Sequence, residues 1–202
     1  MNLNPKLLAL TGCLAGAILL SIIAMATLGW AEYKDSDVHF EYGLSKYCQD
    51  TAKIGGSKSC DKYEKKTYLQ NGKEVTNPFK TGGSATLAFM IMALLGGVAA
   101  AALAGLMIVD IAIPGLTPAL RALALLAGSG FAAATGTMAW ILYAGIVYGS
   151  ESYKQKINLG SKEVSLHASY SYFFCFIAGM LYIASTGLAF LVKQSADAYR
   201  EI

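Results

Sequence analysis

Four stretches of the chain contain no Asp, Glu, Lys or Arg: residues 7–31, 81–109, 122–150 and 164–192. A helix needs roughly 20 apolar residues to cross about 30 Å of hydrocarbon. Each stretch is longer than that, which leaves room for tilt or for interface residues. Helices of soluble cores are usually shorter and polar on one side. The sequence therefore predicts four transmembrane helices, at about 7–30, 83–109, 120–148 and 168–192. They form a single membrane domain over residues 1–202, with loops 31–82 and 149–167 between spans.

The first run is too long for the apolar core of a secretory signal, and no Ala-x-Ala-like cleavage site leads into a soluble domain. It reads as an uncleaved anchor. An even number of spans places both termini on one side. Residues 31–80 carry nine Lys, residues 151–163 carry three, and Lys6, Arg121, Lys193 and Arg200 complete the basic residues. A raw count would draw the large loops to the cytoplasm. Large folded loops, however, translocate largely regardless of charge. Lys6 and the terminal amine precede the first helix, while Glu32, Asp35, Asp37 and Glu41 crowd its far end. The expected arrangement is a multi-pass membrane protein with cytoplasmic termini and two extracytoplasmic loops.

Loop one has the pattern of strands. In "DVHFEY", Asp37, His39 and Glu41 alternate with Val38, Phe40 and Tyr42, the period of a half-buried strand. Asn71-Gly72 between two β-prone stretches predicts a hairpin. "INLGSKEVSL", in loop two, reads as a short strand or hairpin. Cys48 and Cys60 share loop one, whereas Cys13 and Cys175 lie inside helices as small buried thiols. A cysteine pair in a small loop-rich module fits a disulfide in an oxidising space. Two free thiols on a cytosolic loop are the other reading. A metal site falls short of four ligands, with His39 the single nearby histidine.

Small residues recur every four positions: Gly97, Ala101 and Gly105; Gly128, Ala132 and Gly136; Gly12 and Gly16. Each set shares one helix face. Such faces let helix backbones approach closely in lipid, where no hydrophobic force drives association. Tight packing of a helix bundle is the expectation.

No catalytic, cofactor or metal constellation stands out. His39 and His167 are the only histidines, and nothing like a nucleophile elbow accompanies them. The Gly-Gly pairs at 55, 82 and 96 lack the rest of a phosphate loop. Ionisable residues inside a span would mark a transport path; only His167, at a boundary, comes near one. Acidic and basic residues are interleaved, which argues against nucleic-acid binding.

Several short motifs act together. Trp30 ends the first run, at the depth of an aromatic belt. Gly43-Leu44 precedes Cys48, and Cys60 follows. Ala85, Ala88 and Met90 open the second run, Trp140 stands near the end of the third, and Ser185 and Gly187 lie in the fourth. In these motifs and in topology the chain resembles the claudin superfamily, which includes the peripheral myelin and epithelial membrane proteins and the calcium-channel gamma subunits. Its signature is a Trp ending helix one, then Gly-Leu-Trp-x-x-Cys and a second Cys. Ser45 replaces the signature Trp, and Leu87 stands where typical claudins carry Arg.

The resemblance implies a left-handed four-helix bundle with a small extracellular antiparallel sheet, built from loop one and one strand of loop two. It implies that Gly43-Leu44 packs at the base of the sheet and that Cys48 and Cys60 join neighbouring strands. It further implies a protein of cell contacts whose sheet meets like copies side to side and across cells. Asp61, directly after Cys60, matches the acidic pore position of cation-conducting claudins, and Asp50 is near it in sequence. The other role it implies is an auxiliary subunit whose helices pack against an ion channel. Membrane lipid and other membrane proteins are the expected partners, with no nucleic acid.

Overall fold

The structure is a computed structural model that describes residues 5–34, 39–51, 56–63, 67–70, 73–109, 111, 115–149 and 167–198. Outside these residues lie Asp37-Val38, part of the Gly-rich tip at 52–55, the Asn71-Gly72 turn, Pro114, the "INLGSKEVSL" segment and the last four residues. The described elements are α1 (Pro5–Ala26), β1 (Ala31–Lys34), β2 (His39–Tyr42), β3 (Lys46–Asp50), β4 (Lys58–Lys62), β5 (Thr67–Gln70), β6 (Lys73–Thr76), α2 (Pro78–Ile108), α3 (Pro118–Tyr143), a π-helical turn (Ala144–Tyr148), β7 (His167–Ala168) and α4 (Tyr170–Ala198). All four α-helices are long and apolar enough to cross a membrane. The fold is a four-helix bundle with a small antiparallel sheet.

The helices begin and end where local chemistry dictates. Helix α1 stops at Ala26, short of the expected 30: Thr27 N–H makes the last helical bond, to Ile23 O at 3.1 Å, and Trp30 N–H turns to Leu28 O and to Tyr42 O of the sheet, at 2.9 and 3.0 Å. Helix α2 starts at Pro78, earlier than expected, because Asn77 caps it. Asn77 Oδ1 accepts from the N–H groups of Phe79 and Lys80, and a proline at the first helical position needs no donor. Thr117 precedes Pro118 in the same way, its hydroxyl accepting from Leu120 N–H. Helix α4 begins at Tyr170, since His167 and Ala168 are taken up by β7.

Chain contacts group the residues into two compact units. The first comprises Met1–Ile22, Phe89–Thr137 and Phe176–Ile202. Its core includes Leu10, Leu14, Ala100, Leu125, Ala132 and Tyr182. The expected small-residue faces meet here around one large side chain. A methyl group on Gly97 would lie 2.7 Å from the Tyr182 ring, and one on Gly136 would lie 3.1 Å from it. Tyr182 of α4 thus fits against glycines of α2 and α3. Gly128 faces Ala100 at ordinary contact distance, 3.5 Å. Ala132 is fully buried and Ala101 half-buried. Gly105 departs from the expectation: nothing lies within 4 Å of an added methyl, and the same holds for Gly12. Four-residue spacing puts residues on one face, but it does not ensure that a neighbour covers the whole of it.

The second unit comprises Ile23–Ala88 and Met138–Cys175. It contains the sheet, in strand order β4-β3-β2-β1-β7, and the separate hairpin β5-β6. Every pairing is antiparallel. Gln70 sits opposite Lys73, so two residues connect β5 and β6, as the Asn-Gly signal requires.

Candidate functional site

The sheet is fixed at its base through Trp30. This side chain is fully buried, so it is a packed residue of the protein and not the lipid-facing belt residue its position predicted. Its indole N–H donates to Ala24 O at 2.7 Å, satisfying a carbonyl that the end of α1 leaves open. Its ring lies 4.8 Å from Tyr143 and 6.5 Å edge-on to Tyr172. Its own carbonyl accepts from the Tyr148 hydroxyl at 2.9 Å and from Ser169 N–H at 3.4 Å. Next to it, Gly29 O accepts from Ser171 N–H at 2.8 Å. Any side chain on Gly29 would collide with the ring of Tyr170.

Gly43-Leu44 forms the second anchor. Gly43 N–H donates to Lys46 O at 2.8 Å, and Gly43 O accepts from the Tyr63 hydroxyl at 3.0 Å. Leu44 is buried, and its carbonyl rests where a side chain on Gly83 of α2 would have to go. Sequence patterns do not single out Gly83, Gly29 or Tyr63. The Gly82-Gly83 pair is visible, but nothing in one chain says which glycine a backbone will approach.

Cys48 and Cys60 are directly opposite on β3 and β4 and form a disulfide. Residues opposite each other share a face of the sheet, so the register sorts every side chain. One face carries Glu32, Lys34, His39, Glu41, Lys46, Asp50, Lys58, Lys62 and His167 together with the disulfide. The other carries Tyr33, Phe40, Tyr42 and Tyr47. The alternation of His39 and Glu41 with Phe40 and Tyr42 is thus the division between a charged and an aromatic face.

The aromatic face continues into neighbouring rings. Tyr42 stacks on Phe79 at 4.4 Å, Tyr63 lies 6.5 Å from Phe79, and Tyr47 lies 5.9 Å from Tyr63. Burial pushes the Tyr42 phenol up to about 12, helped by Tyr47 and Tyr33. Burial also raises Tyr63, with smaller contributions from Tyr42 and Tyr47. Both phenols are therefore neutral at physiological pH.

On the charged face, Lys58 Nζ donates to Glu41 Oε2 at 2.8 Å. That bond is the largest cause of the raised pKa of Lys58. Lys58 is 48% exposed, so the pair contributes little to stability. His39 Nε2 lies 3.7 Å from Glu32 Oε2.

The structure does not bring the two acidic candidates together. Asp61 is exposed on the outermost strand β4, on the aromatic face opposite Tyr47. Asp50 lies on the charged face, opposite both His39 and Lys58. Among the described residues, no three His, Cys, Asp or Glu side chains are grouped to hold a metal ion. What the site offers is a stapled platform with one charged face and one aromatic face. No family model matches the chain, and no curated protein sequence matches it either.

Proposed function

We propose that the chain is a claudin-like integral membrane protein of the plasma membrane, with both termini cytoplasmic. It acts at cell contacts, forming barriers, adhesion or paracellular paths through its sheet on the extracellular side. One observation supports this above the rest: a disulfide-stapled antiparallel sheet, drawn from the segments after α1 and before α4 and anchored through Trp30 and Gly83. A platform held this firmly is suited to presenting a surface to another membrane, and its open charged face is suited to polar contact. The test is expression in otherwise non-adherent cells, with the protein imaged at cell–cell borders. Concentration at borders is the expected result. Uniform surface staining with co-purification of a channel would replace this reading with that of an auxiliary subunit.

A further inference from the structure

We propose that Lys46 and Lys62 form a seat for the phosphodiester of a membrane phospholipid, in the leaflet on the sheet's side of the bilayer. The inference adds a lipid ligand to the sheet and holds whichever partner the sheet serves. Lys46 of β3 and Lys62 of β4 are directly opposite each other. Opposed residues share a face, with Cβ atoms about 4.5–5.5 Å apart. The next opposed pair on that face, Cys48 and Cys60, has its Cα atoms 4.1 Å apart. That is the closer of the two spacings in an antiparallel ladder, in which the pair exchanges no backbone bonds. The two kinds of pair alternate, so Lys46 and Lys62, two positions along, are of the same close kind. Both lysines are exposed. Among the described residues neither has a carboxylate within ion-pair distance, whereas Lys58 has Glu41 at 2.8 Å. Like charges directly opposed weaken strand pairing. The register is nevertheless held on both sides of the pair. The disulfide holds it on one side; on the other, Tyr63 N–H donates to Ser45 O at 3.5 Å and the Tyr63 hydroxyl to Gly43 O at 3.0 Å. Two ammonium groups are thus kept within reach of a single anion, and none of the described residues supplies one.

Charge alone would admit any anion; depth selects the lipid. Lys80 is the last charged residue before the charge-free run of α2, so it marks where that helix enters hydrocarbon. Its ammonium donates to Tyr63 O at 2.6 Å. Gly83, three residues further into the helix, receives the carbonyl of Leu44. Lys62 is next to Tyr63, and Lys46 is two residues from Leu44. A strand rises about 3.3 Å per residue, so neither backbone lies more than about 7 Å from its contact with the boundary turn of α2. The headgroup layer extends roughly 5–7 Å beyond the hydrocarbon on each side. What that layer presents to a pair of cations is lipid phosphate. Each ammonium can donate a charge-assisted hydrogen bond to one of its oxygens, and a flexible lysine stem lets the charged head settle at the interface.

The experiment uses the full chain, delipidated in a maltoside detergent, with three probes at equal concentration: phosphatidylglycerol, diacylglycerol with the same chains, and inorganic phosphate. Native mass spectrometry reads occupancy, and thermal challenge reads the midpoint. Phosphatidylglycerol should bind and raise the midpoint; the other two should do neither. Lys46→Gln and Lys62→Gln should each weaken phosphatidylglycerol binding about fivefold. Lys58→Gln, on the same face but with its ammonium on Glu41, should leave it unchanged. Without lipid, the Lys46 and Lys62 variants should melt at or above the wild-type midpoint, because each relieves the opposition of like charges. A lower lipid-free midpoint in both would make the lysines structural and overturn the proposal. So would equal binding of diacylglycerol, or undiminished phosphatidylglycerol binding in both variants. Binding of inorganic phosphate as tight as that of phosphatidylglycerol would assign the pair to a free anion and overturn the lipid.

Discussion

Trp30 is the residue whose loss should be felt most sharply, and two substitutions separate its roles. Trp30→Phe keeps a ring against Tyr143 but removes the indole N–H that reaches Ala24 O at 2.7 Å. Leaving a buried acceptor without its donor costs about 1–3 kcal/mol. Trp30→Ala also empties a fully buried site lined by Tyr143 and Tyr172, and large-to-small changes of this kind cost about 3–5 kcal/mol. For a chain of this length each kcal/mol moves the midpoint by roughly 2–4 °C. Thermal challenge of detergent-purified protein, followed by size-exclusion chromatography of the surviving fraction, would give the shifts. Trp30→Phe should fall by several degrees and Trp30→Ala by about twice as much. A Trp30→Phe midpoint equal to wild type would refute the assigned hydrogen bond. Equal midpoints for the two variants would refute the contribution of ring packing.

Paired replacement of Cys48 and Cys60 by Ser opens a ring of sequence separation 12 and should cost about 3 kcal/mol, seen as a lower thermal midpoint that reductant no longer changes; mass spectrometry of non-reduced wild-type peptides should recover the linked pair. Gly97→Leu and Gly136→Leu should both reduce surface delivery, because each drives bulk into Tyr182, whereas Gly105→Ala should be delivered normally; surface biotinylation distinguishes them, and normal levels of the two leucine variants would show that the glycine faces are not packed. Asp61→Asn should lower cation preference without altering surface level if the protein forms a paracellular path, measured as a dilution potential across an expressing monolayer. Lys46→Gln is the comparator, since Lys58 is already committed to Glu41; an unchanged cation-to-anion ratio for Asp61→Asn would reject a pore role for that residue.

The spans are legible because each run keeps charge out over 25 or more residues, longer than the helices of soluble cores usually extend. The strands are legible because His39 to Tyr42 alternate. The cysteine pair points to the staple, although only the register shows it joining directly opposed residues. Helix ends inside uncharged runs are less legible. Nothing in the composition of 7–31 marks Ala26 as the end of α1, because the decisive bonds run from Thr27 and Trp30 back to its last turn. The cap Asn77-Pro78 is readable in principle, but the first charge-free residue, at 81, draws the boundary past it. Close approaches are the least legible. Gly83, outside every four-residue series, receives a carbonyl from a distant loop, whereas Gly105, inside one, receives nothing. The separation of Asp50 from Asp61 likewise depends on which strands pair, not on nearness in sequence.

The short passage from α1 into β1 has a mechanical consequence. Only Thr27, Leu28, Gly29 and Trp30 lie between the helix and the strand, and all four are hydrogen-bonded: Thr27 to Ile23, Leu28 to Trp30, Gly29 to Ser171, and Trp30 also to Ala24, Tyr148 and Ser169. There is no slack there to act as a hinge. A pull on β1 is carried directly into the last turn of α1, so tension applied to the sheet would be borne by the helix backbone and not absorbed by a pliant tether.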